Sequence, residues 1–250
     1  MSLEIIAELS RLYGADEAFV LAGGGNTSFK DEKFLYIKPS GVSLANISPE
    51  QFVKLDRSIV RQSFDLAAIG ECDERERRIG ALLSYAAIAP AGARPSVESP
   101  LHELLPYKFV VHTHPMLVNA MTCGKEGKSI AAKLFPDAMW MDYCDPGLTL
   151  SVEFKKAVEA FGKAPKVAFL GNHGVFVAAD SQEEIKALYA DIMDKLAAFV
   201  TAQGIPLEEN AAPCHMETVF ENAPLLRGLL GKVATVTAGG AFKAPEGPLT

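Results

Sequence analysis

Three histidines stand at places where chemistry can happen. His112 and His114 close the apolar run Phe109-Val-Val-His-Thr-His, which Pro115 stops, and His173 sits in the turn Gly171-Asn-His-Gly174. On a strand, side chains at i and i+2 share a face, so His112 and His114 can aim both imidazoles at one point. Two half-buried histidines satisfied by hydrogen bonds would show the same spacing. Context favours ligands: the pair ends its strand, and a third, loop-borne histidine is at hand. Three neutral imidazoles suit a divalent metal, Zn2+ above others, with a fourth position open to substrate or a carboxylate.

Glu98 lies fourteen residues before His112 and four before His102, a helical-turn spacing that can place Glu98 and His102 side by side. Either could serve a metal site. A carboxylate beside a metal can act as a displaceable ligand or as the base that takes a proton from carbon. A solvated surface glutamate is the competing reading. The run Gly23-Gly-Gly-Asn-Thr-Ser offers backbone N–H groups that can form an anion nest, with Asn26, Thr27 and Ser28 as further donors. Lys38-Pro-Ser-Gly41 adds donors and a cation, and Ser96 stands two residues before Glu98. Together these would make a phosphate pocket adjoining a metal. Neither a dinucleotide-type Gly-x-Gly-x-x-Gly nor a Walker lysine motif is present. His215 has no partner pattern and reads as a surface histidine, and Trp140 and Tyr143 read as packing residues by default.

The elements that must carry these groups follow from periodicity. Ile5, Ile6, Leu9 and Leu12 predict a helix over 3–14, after which the run Ala22-Gly-Gly-Gly-Asn-Thr-Ser-Phe29 breaks the pattern as a glycine-hinged loop followed by a hairpin. Strands are expected at Phe34–Lys38 and Phe52–Leu55, a helix over 74–89, and a proline-bracketed loop, Pro95 to Pro100, opening a short helix. The histidine-bearing strand at 109–114 precedes a helix at 116–122, and 135–147 reads as mostly irregular. A helix at 149–161, strands at 166–170 and 175–178, and a long helix at 182–203 capped by Asp180 or Ser181 complete the expected domain. From 205 onward Pro, Ala and Gly dominate, which predicts a tail with one short helix at 222–231, loose or packed on a neighbouring subunit.

Composition narrows the partners. The 250 residues fit one principal α/β domain, here 1–204, and 24 basic against 31 acidic residues leave a net charge of −7. Nucleic acid is a poor partner for such a chain. No apolar stretch of about 18 residues predicts a membrane span, and no basic-then-apolar N-terminus predicts secretion, so a cytoplasmic protein is expected. The four cysteines, Cys72, Cys123, Cys144 and Cys214, are far apart and read as reduced thiols.

Gly25-Asn-Thr-Ser, Lys38-Pro-Ser-Gly41, Pro95-Ser-x-Glu98 with His102, His112-Thr-His114-Pro, Tyr143-x-x-Pro-Gly147 and Asn172-His173-Gly174 occur in an order that resembles the class II aldolase/adducin family. The likeness runs from about residue 5 to 203 and is nearest to L-fuculose and L-rhamnulose 1-phosphate aldolases. It includes the aldolase half of bifunctional rhamnulose-phosphate aldolase/dehydrogenases. The resemblance implies a three-layer α/β/α fold with a central, mainly antiparallel sheet, Zn2+ on His112, His114 and His173, and Glu98 as catalytic acid/base. It further implies a homotetramer, and a phosphate held by Gly25, Asn26, Ser40, Gly41 and Ser96. The reaction implied is cleavage of a ketose 1-phosphate to dihydroxyacetone phosphate and an aldehyde through a metal-stabilised enediolate.

Two departures are specific. Val97 stands where fuculose-type enzymes carry a second phosphate-binding serine, a loss for which Lys38 could compensate. No counterpart is visible of the tyrosine that a neighbouring subunit there supplies as general acid. Related reactions share the scaffold: pentulose-5-phosphate 4-epimerases, which tend to carry Asp at the position of Glu98, and dehydratases or decarboxylases. Adducin-like binding modules have lost metal ligands, whereas all three histidines are present here.

Overall fold

The computed structural model describes residues 2–21, 24–68, 72–145 and 147–205. Residues 1–199 form one compact unit, and a second, 200–250, is described only through residue 205. The expected helix at 222–231 and His215 lie outside the described residues. The chain opens with α1 (Ser2–Gly14), β1 (Asn26–Lys30), β2 (Phe34–Ile37), β3 (Val53–Asp56), α2 (Arg57–Arg61), α3 (Cys72–Ala86) and β4 (Ala87–Ala89). It continues with α4 (Ser99–Leu104), β5 (Phe109–Thr113), α5 (Met116–Thr122), α6 (Gly127–Leu134) and β6 (Met139–Met141). The unit ends with α7 (Leu148–Phe161), β7 (Val167–Leu170), β8 (Gly174–Ala179) and the start of α8 (Gln182–Ala202).

The eight strands found among the described residues join one sheet in the order β4-β3-β2-β1-β5-β8-β7-β6. Every pairing is antiparallel except β6 with β7. The mainly antiparallel sheet anticipated from the family likeness is therefore present. Helices cover both faces, giving the three-layer α/β/α arrangement. On one face Phe109, Val111, Val175 and Val177 meet Ile6 and Leu9 of α1 and Ile185, Ile192 and Leu196 of α8. On the other, Val110, Phe176 and Ala178 meet Leu101 of α4 and Leu150 and Phe154 of α7, while Leu35, Ile37 and Leu55 meet α2 and α3. Alternation along β5 and β8 produces this division, and each large side chain so buried contributes about 1.5–3 kcal/mol.

Three elements differ from the sequence expectation. β1 is a strand inside a stretch read as a break, because its stabilising partners are polar and distant in sequence. The helix expected over 74–89 stops at Ala86, and residues 87–89 pair with β3 as an edge strand. β6 lies within the stretch read as irregular, at only three residues too short to show a period. The long helix is capped by Ser181, whose Oγ accepts from Glu184 N–H at 3.2 Å, while Asp180 Oδ1 accepts from Lys108 N–H at 2.9 Å. No described helix is long and apolar enough to cross a membrane.

Candidate metal centre and its carboxylate

β5 and β8 build the centre. His112 pairs across with Phe176 on one side and Asn26 on the other, so these three side chains share a face of the sheet. The His112 imidazole is fully buried and stacks on the Phe176 ring, with centroids 4.1 Å apart and 14° between planes. Its Nδ1–H donates to the Val175 carbonyl at 3.0 Å, which fixes the tautomer and leaves Nε2 as a lone pair facing inward. His114 Nε2 lies 3.0 Å and His173 Nε2 3.3 Å from that atom. The β8 turn brings in His173 through Asn172, the one non-glycine residue at positive φ among those described, at 51°. Its N–H donates to the Thr122 carbonyl of α5 at 3.1 Å.

Two glycines permit the crowding. A Cβ on Gly174 would lie 2.6 Å from both His114 Cδ2 and the Thr113 carbonyl, and one on Gly25 would lie 2.6 Å from the His112 carbonyl. Gly25 also holds a φ of +75°, which a side chain would oppose. Gly25 thus serves as the residue that lets the β1 approach touch β5.

Burial drives the His112 imidazole far below its ordinary pKa, and the facing His114 and His173 add to the effect. Burial and then His173 push His114 down to about 4. The first two imidazoles are therefore neutral near pH 7. Ligand atoms of the three histidines all lie within 4.8 Å of one another, the one such triad that emerges among the described residues. Tetrahedral bonds of about 2.1 Å place ligand nitrogens about 3.4 Å apart, close to the 3.0 and 3.3 Å found here. Imidazole nitrogens converging in this way fit a divalent transition metal.

Glu98 faces the same point. It precedes α4 and is buried, with Oε2 3.8 Å from His112 Nε2 and Oε1 3.6 Å from His173 Nε2. These separations are too long for hydrogen bonds, and a neutral His112 makes no ion pair with it. Among the described residues the carboxylate's hydrogen-bond donor is Asn26, whose Nδ2–H donates to Oε2 at 2.5 Å. His102 does not join the triad. It turns away, its Nε2 meeting Asn26 Oδ1 and its Nδ1 meeting Ser28 Oγ at 2.7 Å. The Glu98–His102 spacing therefore joins the two through Asn26. Ser28 in this role carried no sequence signal, since its partner lies 74 residues away.

The expected phosphate loops do meet. A bridge between Pro39 and Pro95 ties the 38–41 turn to the 94–98 loop. Ser40 is engaged within it, its N–H donating to the Arg94 carbonyl at 2.8 Å and its Oγ–H to the Pro95 carbonyl at 3.3 Å. Ser96 is buried and its Oγ accepts from Glu98 N–H at 3.2 Å. Gly41 sits at a φ of +84° with open space where a side chain would be. Lys38 is buried, donates to the Pro39 carbonyl at 3.1 Å, and has its pKa lowered by burial against the opposing pull of the Glu98 charge. Trp140 is half-buried, as expected by default, with Nε1–H donating to Asp142 at 2.7 Å. Tyr143 breaks that default: it is exposed, and its hydroxyl donates to Asp145.

The α/β/α layers carry three converging imidazoles beside a buried carboxylate, a set of groups that could hold a divalent metal. The model of the class II aldolase and adducin N-terminal domain matches residues 4–199, and the chain belongs to that family. It is 30% identical over 196 residues to the uncharacterized oxidoreductase YuxG of Bacillus subtilis, covering 72% of this chain and 27% of that protein. The chain thus spans about a quarter of that relative's length. Among solved structures, the N-terminal class II aldolase domain of a conserved protein from Thermoplasma acidophilum is 28% identical with a TM-score of 0.68, covering 79% of this chain and 93% of that one. L-fuculose-1-phosphate aldolase from Thermus thermophilus shares the fold at 17% identity and a TM-score of 0.52, covering 85% and 98%. Family members generally use a divalent metal, in agreement with the donor set.

Proposed function

We propose that this chain is a metal-dependent sugar-phosphate aldolase that cleaves a ketose 1-phosphate to dihydroxyacetone phosphate and an aldehyde. The observation that carries the reading is the Glu98 carboxylate, 3.6–3.8 Å from two of three converging imidazole nitrogens and held there by Asn26. His112, His114 and His173 would hold Zn2+ or a similar ion, which supplies Lewis-acid polarisation of the substrate's carbonyl. In the cleavage direction the C4 hydroxyl gives its proton to the Glu98 carboxylate, the C3–C4 bond breaks towards the carbonyl, and the aldehyde departs. Glu98 returns a proton to C3, and in the synthetic direction removes it. Lys38, the Gly41 backbone and the Ser40 and Ser96 hydroxyls are the groups that would take the phosphate, with Lys38 supplying charge where Val97 offers no hydroxyl. Gly25 keeps the approach open, and the Asn26 amide orients the carboxylate. The Phe176 ring behind His112 excludes water from the inner face.

A panel of ketose 1-phosphates and pentulose 5-phosphates, coupled to detection of triose phosphate, tests the assignment. Release of dihydroxyacetone phosphate from a ketose 1-phosphate, lost in Glu98→Gln and in metal-stripped protein, is expected. Epimer formation without triose release would move the function to a pentulose-phosphate epimerase. A Glu98→Gln protein of full activity would sink the proposed proton transfer.

A further inference from the structure

The Glu98 carboxylate ends a buried chain of hydrogen bonds whose direction can be worked out atom by atom. Asn26 touches two groups, Glu98 through Nδ2 at 2.5 Å and His102 through Oδ1. The amide oxygen only accepts, so His102 Nε2 must carry the hydrogen. His102 is fully buried, its ring edge-on to Phe176 at 5.4 Å, and burial together with the nearby Lys30 charge keeps it neutral. A neutral imidazole with Nε2–H has only an acceptor left at Nδ1, and Ser28 O–H, 2.7 Å away, donates to it. Every bond therefore runs one way: Ser28 to His102, His102 to Asn26, Asn26 to Glu98.

That direction has a consequence for the carboxylate. With the His102 bond made, the Asn26 amide can present only its NH2 to Glu98. Turned over, the amide would set its oxygen against a carboxylate oxygen and its NH2 against the Nε2–H of His102, two repulsions at once. Lys30 steadies the far end, its ammonium donating to the His102 and Leu105 carbonyls at the end of α4.

We infer that His102 is a positioning residue for the proposed reaction: through Asn26, and with Ser28 selecting its tautomer, it fixes the Glu98 carboxylate against the three-histidine cluster. The inference rests on the proton-transfer role proposed for Glu98. It also gives the Asn26 side chain a task apart from phosphate binding.

The test uses the Zn2+-loaded 250-residue chain and the variants His102→Leu, His102→Gln and Ser28→Ala. Leucine removes the donor to Asn26, whereas glutamine keeps an N–H near the position of Nε2. Supporting residues of this kind alter activity about 10–100-fold. Expected are a fall of that size in kcat for His102→Leu, a KM and metal content close to those of the wild type, and recovery of most of kcat in His102→Gln. Equal activity of the leucine and glutamine variants, whether both full or both lost, would overturn the assignment, as would loss of metal in His102→Leu. A long-range 1H–15N spectrum of the wild type gives a readout independent of any substrate. His102 should show a protonated Nε2 and a bare Nδ1, and Ser28→Ala should perturb that pattern; a protonated Nδ1 in the wild type would refute the chain. Should the wild type cleave no ketose 1-phosphate, the aldolase reading fails while the spectrum still decides the relay.

Discussion

Lys30 is a lysine only 4% accessible to solvent, and its protonation can be read from the pH dependence of stability. Burial pushes its pKa down to about 7 from an ordinary value of 10.5, with Glu103 pulling it up and Arg57 and Arg61 pushing it further down. A base whose folded pKa is depressed binds fewer protons in the native than in the unfolded state between the two values, here pH 7 and 10.5. Stability must then rise with pH across that window. The full shift corresponds to about 5 kcal/mol, and integration from pH 7 to 9.5 gives a gain of about 3 kcal/mol. The two carbonyls that accept from Nζ favour the ammonium, which brings the expected gain to about 2 kcal/mol. Lys30→Met keeps the apolar stem and removes the titration. Urea unfolding of both proteins at pH 7 and 9.5, with chelator present throughout, isolates the effect as a difference. Other groups, such as Tyr13 and Tyr189 with raised values, contribute to both proteins and cancel. The stability of the wild type relative to Lys30→Met should increase by about 2 kcal/mol over this range. A difference that stays flat or shrinks with pH would refute the picture of a desolvated ammonium at the end of α4.

Gly174→Ala forces a methyl group against His114 Cδ2 and the Thr113 carbonyl, so a loss of about 1–3 kcal/mol in unfolding free energy and weaker Zn2+ retention on dialysis are expected. Tyr189→Phe removes the hydroxyl that contacts Thr113 Oγ1 at 2.8 Å and the Val111 carbonyl at 3.1 Å behind the histidine strand; thermal denaturation should report a loss of about 1 kcal/mol. Val97, Met116 and Tyr143 each expose more than half of their surface, at 52%, 61% and 57%, close in sequence to Glu98, His114 and the Gly147 turn. We propose that these side chains are buried between copies in the homotetramer implied by the family likeness; light scattering should then give four times the chain mass, and Met116→Glu should lower it.

The metal side of the site was legible because its spacing coincides with a structural period. His112 and His114 share a face only if 109–114 is a strand, and the apolar Phe109-Val-Val run forces that strand. His173 was visible as a loop histidine, but its approach to His112 depends on β8 pairing with β5, which no local pattern states. The carboxylate side was half legible. Glu98 and His102 do not lie side by side, because the i, i+4 rule assumes both on one helix and Glu98 lies before α4 with its backbone at φ −86° and ψ 6°; Asn26 stands between them. Freed from the helical direction, its side chain reaches the histidines while His102 faces β1. The phosphate loops were recognised by composition, which identifies donors without revealing that the Ser40 donors are engaged with the 94–95 backbone.

β1 shows why the remainder was hidden. Asn26, Thr27, Ser28, Phe29 and Lys30 are all buried, yet only one is a large apolar residue, so no hydrophobic period marks the strand. What makes the strand tolerable is an answer to each polar side chain from a remote residue: Ser10 to Thr27, His102 to Ser28, Glu98 to Asn26, and two carbonyls of the α4 region to Lys30. A buried hydroxyl or amide without its partner costs about 1–3 kcal/mol, so these pairings also fix the register. Sliding β1 by one residue against β5 would turn Asn26 and Ser28 towards α1 and leave Glu98 and His102 unanswered. Register, carboxylate orientation and the Asn26–His112 pairing are thus one constraint. A strand of apolar residues would be more stable, but it could not carry Asn26 from His102 to Glu98 beside the histidine cluster.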